Sequence, residues 1–351
     1  MTSRVPSRAT RRGVSVIAAG VMAALMFVGI ASATTLNLPA ANLYQPTAFG
    51  DSQVYSLELL NLIENNNKLS QKSQFNVTAA EGQIKDLIVI GTGPGGQSST
   101  NTAGVSDDAY ATPNGDGVFF NTRNSEPTNG PPGDLQNSWE ISIASLITYL
   151  TDPVTAQTFN LVFLVDSNQQ GNDAGQTQFF WARIQGVDAT GTNIGGCFDL
   201  TSAAGDGATC APITTTDDSN SGYPAFTGSY VENAGDFCVS VATGVPYAPP
   251  CAAGDFGPVS NNLGSNNTEF AVYFPLLNTV TQLQALLAAG AVNISVEFRF
   301  NNTDGFDTIW LCDRCTIGTT TGVPGPAPLL LVGSGMLGVG VLAWRRNRRQ
   351  V

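Results

Sequence analysis

Apolar residues along this chain come in short runs, some alternating and some continuous, separated by stretches rich in Gly, Pro, Asn, Asp, Ser and Thr. Alternation marks a strand with one buried face, and a short continuous run between turn signals marks a strand buried on both. On that basis strands are expected near "QVYSLELLNLI", "QIKDLIVIG", "GVFFN", "WEISIASLITYL", "FNLVFLVDS", "TQFFWARIQGV", "YVENAGDFCVSV", "EFAVYFPLL", "VNISVEFRFNN" and "DTIWLC". "NTVTQLQALLAAG", residues 278–290, differs: Val280, Leu283, Leu286 and Leu287 form a stripe between a polar start and a Gly stop, which predicts a short helix. "SLITYL", residues 145–150, is a candidate second helix. So many short strands with one or two short helices predict an all-β domain, mainly antiparallel and of β-sandwich or jelly-roll type.

The two ends depart from this pattern. Residues 1–33 place a basic stretch before the apolar "GVSVIAAGVMAALMFVGI", and Ala31-Ser32-Ala33 forms a small-x-small cleavage site with Ala31 and Ala33 as its small residues. This is the layout of an export signal. At the other end Val323-Pro324-Gly325-Pro326-Ala327-Pro328 precedes an apolar run, Leu329–Trp344, followed by Arg345, Arg346, Arg348 and Arg349. Sixteen helical residues reach roughly 24 Å, slightly short of a roughly 30 Å hydrocarbon core; Trp344 and snorkelling arginines absorb the difference, and the arginines act as a cytoplasmic stop. The expected organisation is therefore a signal peptide 1–33, a β-rich ectodomain 34–315, and a linker with Pro-rich motif 316–328. A transmembrane helix 329–344 and a basic tail 345–351 complete it. Residues 190–255, rich in Cys and Gly, are a candidate disulfide-bearing lobe within the ectodomain.

Pro-rich turn, Leu/Gly-rich span and terminal arginine cluster, in that order, resemble the PEP-CTERM sorting signal. Gly325 stands where the family usually has glutamate. The resemblance covers the last 30 or so residues. It implies recognition and processing by an exosortase in a Gram-negative bacterium that makes exopolysaccharide. The implied route passes through an inner-membrane intermediate with a periplasmic ectodomain to the cell surface or matrix. Implied partners are the exosortase, the export machinery and the exopolysaccharide itself.

Composition narrows the chemistry. Charged residues are only 12% and there is no histidine, which excludes Ser-His-Asp triads, Cys-His dyads and His-ligated zinc. Between Thr34 and Gly322 seven basic residues face 27 acidic ones, a formal charge of −20. Such a surface repels nucleic acid, so no nucleic-acid partner is expected. Six cysteines in the exported segment imply disulfides. Cys197 and Cys210, like Cys238 and Cys251, are 13 apart, and Cys312 and Cys315 form Cys-x-x-Cys. Sequential pairing is the simplest connectivity, and each 13-residue loop closed contributes roughly 3 kcal/mol. A redox role for Cys312/Cys315 is the alternative; it needs a following helix to lower the thiol pKa, and "TIGTTTGVPGP" follows instead.

"DLIVIGTGPGG" carries Gly91-x-Gly93-x-x-Gly96 after a strand, the spacing of a dinucleotide fingerprint. A pyrophosphate site needs a helix N-terminus directly after the third glycine. The stretch "QSSTNTAGVSDDAYATPNGDG" has no helical stripe. The motif therefore reads as a buried strand, Leu87–Ile90, running into a glycine loop, and no cofactor is expected. Calcium is the open exception. Asp166, Asn168 and Asp173 surround Gly171 as in a calcium loop, although Gln170 and Thr177 stand where further ligands belong. Asp304 with Asp307, and Asp107, Asp108 and Asp116, are looser candidates, against the ordinary role of Asp and Asn as turn formers.

No catalytic residue is assigned. A secreted carboxylate-dependent glycosidase, with Glu140, Glu269 and Glu297 as candidate acids, is the remote alternative. The nearer one is a carbohydrate- or calcium-binding surface module, since one of Phe179, Phe180 and Trp181 must point away from the core on a period-two strand. The leading expectation is a non-enzymatic protein of the envelope or matrix, structural or adhesive.

Overall fold

The computed structural model describes residues 35–40, 46–66, 71–78, 87–92, 110–112, 118–121, 138–167, 178–205, 210, 230–233, 235–260, 267–303 and 308–318. In chain order the elements are β1 (Leu36–Leu38), β2 (Thr47–Phe49), β3 (Ser52–Ser56), α1 (Leu57–Glu64), β4 (Leu87–Thr92), β5 (Tyr110–Thr112), β6 (Val118–Asn121), β7 (Trp139–Ser142), α2 (Ile143–Tyr149) and β8 (Phe163–Asp166). There follow β9 (Gln178–Val187), β10 (Asn193–Leu200), β11 (Val231–Asn233), β12 (Phe237–Val239), β13 (Pro246–Tyr247), β14 (Phe256–Val259), β15 (Phe270–Tyr273), α3 (Val280–Ala288), β16 (Asn293–Thr303), β17 (Thr308–Leu311) and β18 (Cys315–Ile317).

Two sheets carry the fold. The seven-stranded one runs β2-β3-β15-β8-β17-β4-β5; the six-stranded one is built on β10-β9-β16-β6, with β11 also on β9 and β7 also on β16. Pairing is antiparallel throughout except between β4 and β5 and between β1 and β18. The inner faces of both sheets meet in one core, where Phe180, Ala182 and Ile184 of β9 and Ile294, Val296 and Phe298 of β16 pack with Phe163 and Val165 of β8 and Ile309 of β17.

The continuous apolar run at β8 has a clear cause. Leu161, Phe163 and Val165 face the six-stranded sheet, whereas Val162 and Leu164 enter a second cluster with Leu36, Leu38, Tyr55, Leu60 and Trp310. The seven-stranded sheet is thus buried on both faces at its middle, which removes the polar alternation a half-exposed strand shows. In that second cluster Tyr55 donates its hydroxyl to the Pro39 carbonyl and stacks on Tyr273 at 6.1 Å between ring centroids.

A helix replaces strand in the second half of "QVYSLELLNLI", and the candidate helix at "SLITYL" is present as α2. The "QVYSLELLNLI" strand stops at Ser56, whose hydroxyl accepts from the Leu59 amide and caps α1. Leu57, Leu60 and Ile63 then recur at a spacing of three, a helical period, and lie buried on one side of α1. Ser142 does the same within "WEISIASLITYL", accepting from the Ser145 amide to start α2. Three helices, rather than one or two, are therefore present among the described residues. The helix at the 278–290 stretch is α3, opened by a capping box between Thr279 and Gln282. The expected stripe is narrower than its sequence: Leu283 is fully buried but Leu287 is 43% exposed.

Residues 190–255 are shared between sheets. β10 and β11 extend the six-stranded sheet on β9, whereas β12, β13 and β14 form a small sheet of their own that packs Val239, Phe256 and Val259 on Leu62 and Ile63 of α1. Among the described residues no helix is long and apolar enough to cross a membrane. Residues 1–33 and 319–351, which hold the expected signal, sorting motif, transmembrane helix and basic tail, lie outside the described residues.

The burial contrast along α3 fixes an expectation for stability. Leu283→Ala should lower unfolding free energy by about 2–5 kcal/mol, whereas Leu287→Ala should stay within about 0.5 kcal/mol of the parent in denaturant titration.

Candidate functional site

Between the sheets, toward the β2 edge, the core is not filled. A cavity of about 310 Å³ lies there, lined by residues of β2, β3, β15, β8 and β17 on one wall and of β9, β11 and β16 on the other. Its interior is apolar: Val165, Val272 and Ile309 face Ala182, Val296 and Phe298. Phe163 stands edge-on to Phe274 and to Phe298, at 6.5 and 6.3 Å between centroids, and all three rings line the cavity. Exposed Thr47 and Pro246 mark the mouth; Glu232 also belongs to the lining, but it lies opposite Phe179 and turns its side chain to the outer face of the sheet.

A buried polar group adjoins the cavity at the end of β8. Asn233, which also lines the cavity, donates from its amide to Ser167 Oγ at 3.2 Å. Ser167 Oγ donates to Gln178 Oε1, and the Ser167 backbone amide donates to the Glu269 carboxylate, both at 2.7 Å. These contacts satisfy side chains that would otherwise oppose burial, and they hold β8, β9, β11 and the residue preceding β15 together beside the mouth.

The carboxylates singled out in the sequence are spread over the fold. Glu269 is committed to the Ser167 amide. Glu140 is fully buried on β7, where the Ser138 hydroxyl donates to it and Ser295 in turn donates to Ser138 at 2.8 Å. Glu297 lies in register with Arg183, whose guanidinium makes a two-pronged pair with Asp199 at 2.7 Å for each bond. Ser295, Glu297 and Arg299 share the outer face of β16, away from the cavity.

The aromatic run at 179–181 divides between the two faces of β9. Phe180 points into the inter-sheet core; Phe179 and Trp181 cluster with Tyr230 on the outer face. Trp181 is outward yet buried, with Arg183 over its ring at 5.8 Å, and Arg299 lies over Tyr230 at 5.0 Å. A flat exposed platform of the kind sugars stack on is not made by Trp181.

All six cysteines are paired: Cys197–Cys210, Cys238–Cys251 and Cys312–Cys315. The last links the end of β17 to β18 and is buried in the cluster that contains Trp310 and Leu36. Burial on that scale keeps a partner thiol away from the sulfurs and gives the pair a packing role. Of the calcium candidates Asp166 is buried at the end of β8; Asn168 and Asp173, with Asp304, Asp307, Asp107, Asp108 and Asp116, lie outside the described residues. Among the described residues no three acidic, Cys or His side chains are grouped for a metal. The sorting residues Val323, Pro324, Gly325, Pro326, Ala327 and Pro328, the arginines 345, 346, 348 and 349, and the cleavage residues Ala31 and Ala33 also lie outside them. The Gly91 end of the "DLIVIGTGPGG" motif closes β4, which is antiparallel to β17; its residues from Gly93 onward are outside the described set.

Residues 36–299 match a family model described as a domain of unknown function (DUF8239). No curated protein and no solved structure matches the chain.

One carboxyl is moved into the neutral range. Glu58, in the first turn of α1, is pushed up to about 7, chiefly by burial; the Ser260 amide that donates to it pulls the other way, and Asp236 adds repulsion. Its position between α1 and the end of β14 makes it a joint between the helix and the small sheet. Because the folded state holds this proton more tightly than the unfolded chain, the stabilisation is complete below about pH 4.5 and is lost as pH rises through about 7. The unfolding free energy from denaturant titration should fall between pH 5.5 and pH 8 by an amount on the order of 1 kcal/mol, the group being partly exposed and screened. Glu58→Gln should remove that share of the slope.

Proposed function

The chain belongs to the DUF8239 family, and from that premise we propose that it is an exported protein of the cell envelope or its polysaccharide matrix, non-enzymatic, working by binding and structure. Cysteine pairing carries this reading: every cysteine of the chain is in a disulfide, a state that persists in oxidising compartments. The two facing sheets are read as a β-sandwich ectodomain, preceded by the cleaved signal and followed by the Pro-rich motif and transmembrane helix. Delivery follows the order of the C-terminal elements. The span holds the chain at the inner membrane with the arginines inside, an exosortase acts at residues 323–328, and the ectodomain passes to the surface or matrix. A charge of −20 on the ectodomain keeps it off nucleic acid and anionic lipid.

Within this reading binding is favoured over a passive role by the inter-sheet cavity, since natural cores rarely keep voids larger than a water molecule. The candidate glycosidase carboxylates lend no comparable support, for Glu140 and Glu269 are buried in hydrogen-bonded positions.

Sorting is tested in the producing bacterium by two deletions. Removing residues 323–351 should release the protein from its normal location, and removing only 323–328 should leave an unprocessed, membrane-held chain of higher mass. If the shorter deletion is processed and fractionates normally, the exosortase reading fails and a plain anchor takes its place. Alkylation tests export itself: the mature protein should take up no iodoacetamide until denatured and reduced, then six equivalents. Free thiols in the mature protein would overturn the oxidising compartment.

A further inference from the structure

We infer that the inter-sheet cavity is a binding site for one small, uncharged and wholly apolar molecule. The inference rests on the binding role proposed above, which it deepens, and is independent of the sorting route.

Volume sets the size of the occupant. At about 310 Å³ the space is roughly twice the ~150 Å³ apolar cavity that stays dry and takes up benzene, and by that ratio it suits about twelve non-hydrogen atoms. Water is a poor filling for it. A buried water needs several polar partners, and the polar side chains set back from the mouth are already engaged: the Ser56 hydroxyl accepts from the Leu59 amide, and the Asn233 amide donates to Ser167 Oγ. Left empty, the rings and methyl groups of the walls forgo dispersion contacts on one side, and an apolar occupant restores them.

Charge sets the class. Among the described residues of the lining only Glu232 is charged, and it turns its side chain to the outer face of the sheet, so none of them presents a charge to the space. An ion of either sign would leave water for walls such as Val165, Val272, Val296 and Ile309 with no counter-charge to meet it, and an unpaired buried ion is far more costly than a neutral group. The lip on the side of the small sheet is uncharged as well. Pro246 follows the turn between β12 and β13, where Val241, Ala242 and Val245 are exposed, and no charged residue stands between Ser240 and Gly254. The formal charge of −20 on the ectodomain sharpens the contrast, because long-range attraction by itself would favour a cation over a neutral molecule.

The test uses the exported protein with its disulfides intact and three probes that share one ring system: 1-methylnaphthalene, 1-naphthylmethylammonium and 1-naphthoate. In equilibrium dialysis at neutral pH one equivalent of 1-methylnaphthalene should be retained and should raise the melting temperature, and each ion should bind at least about tenfold less tightly. Ala182→Leu on the β9 wall and Val231→Phe at a half-buried position of β11 should each weaken retention of the neutral probe at least about tenfold. Leu287→Phe, exposed on α3, should leave it unchanged. A folded protein that retains none of the three probes overturns the site. An ion held as tightly as the neutral probe overturns the class while leaving a binding role in place, and unchanged retention by a cavity variant that folds overturns the location. None of these outcomes depends on residues 323–351, so this proposal and the sorting proposal fail separately.

Discussion

The pairing of β9 with β16 is the constraint from which the rest of the fold follows. Their register runs unbroken from Asn293 opposite Val187 to Asn301 opposite Phe179. Side chains alternate across a strand, so one face of this ribbon sends Phe180, Ala182, Ile184, Ile294, Val296 and Phe298 into the core, and the other holds Arg183, Ser295, Glu297 and Arg299. A slip of one residue would drive the arginines and Glu297 between the sheets, at a cost no hydrogen bond present there could offset. β7, β10, β11 and β6 all add to this ribbon, and the seven-stranded sheet packs on its inner face.

The outer face of the ribbon is polar but not exposed. Arg299 is almost wholly buried and lies on the Tyr230 ring, and Arg183 is held by Asp199 on the neighbouring strand β10 and lies over Trp181. Buried guanidinium groups require partners on several sides, and a cation over an aromatic face supplies one without a further charge. This arrangement orients Trp181 and fixes β11 beside β9, which in turn brings Val231 and Asn233 to the cavity lining.

Long alternating segments were legible in the sequence because their burial is periodic: β9, β16, β15 and β17 all stand where apolar spacing put them. The joins were hardest to read where one apolar run contains two kinds of structure. Ser56 and Ser142 each end a strand and cap a helix, and only the change from a period of two to a period near three and a half marks the join. β10 escaped notice because "NIGGCFDL" is interrupted by two glycines and carries a register shift between Ile194 and Cys197, so no alternation survives. The cavity left no trace in the pattern at all. Its lining comes from eleven strands scattered between Thr47 and Ile309, and most of the lining side chains are as apolar as those of an ordinary core. What distinguishes them is a sum of volumes across two sheets, which no local window contains.

That unfilled volume bears on what the disulfides do. Cavities left by core truncations cost about 24 cal/mol per Å³, so a closed and empty void of 310 Å³ would cost on the order of 7 kcal/mol. Two 13-residue loops closed by Cys197–Cys210 and Cys238–Cys251 contribute roughly 3 kcal/mol each by restricting the unfolded chain. The second bond lies in the small sheet that supplies Phe237 and Pro246 to the lining, whereas the first leaves the β10 bulge where Cys197 stands opposite Gln185. Ala182 and Val272 both line the space, on opposite sheets, so larger side chains at these positions would narrow it.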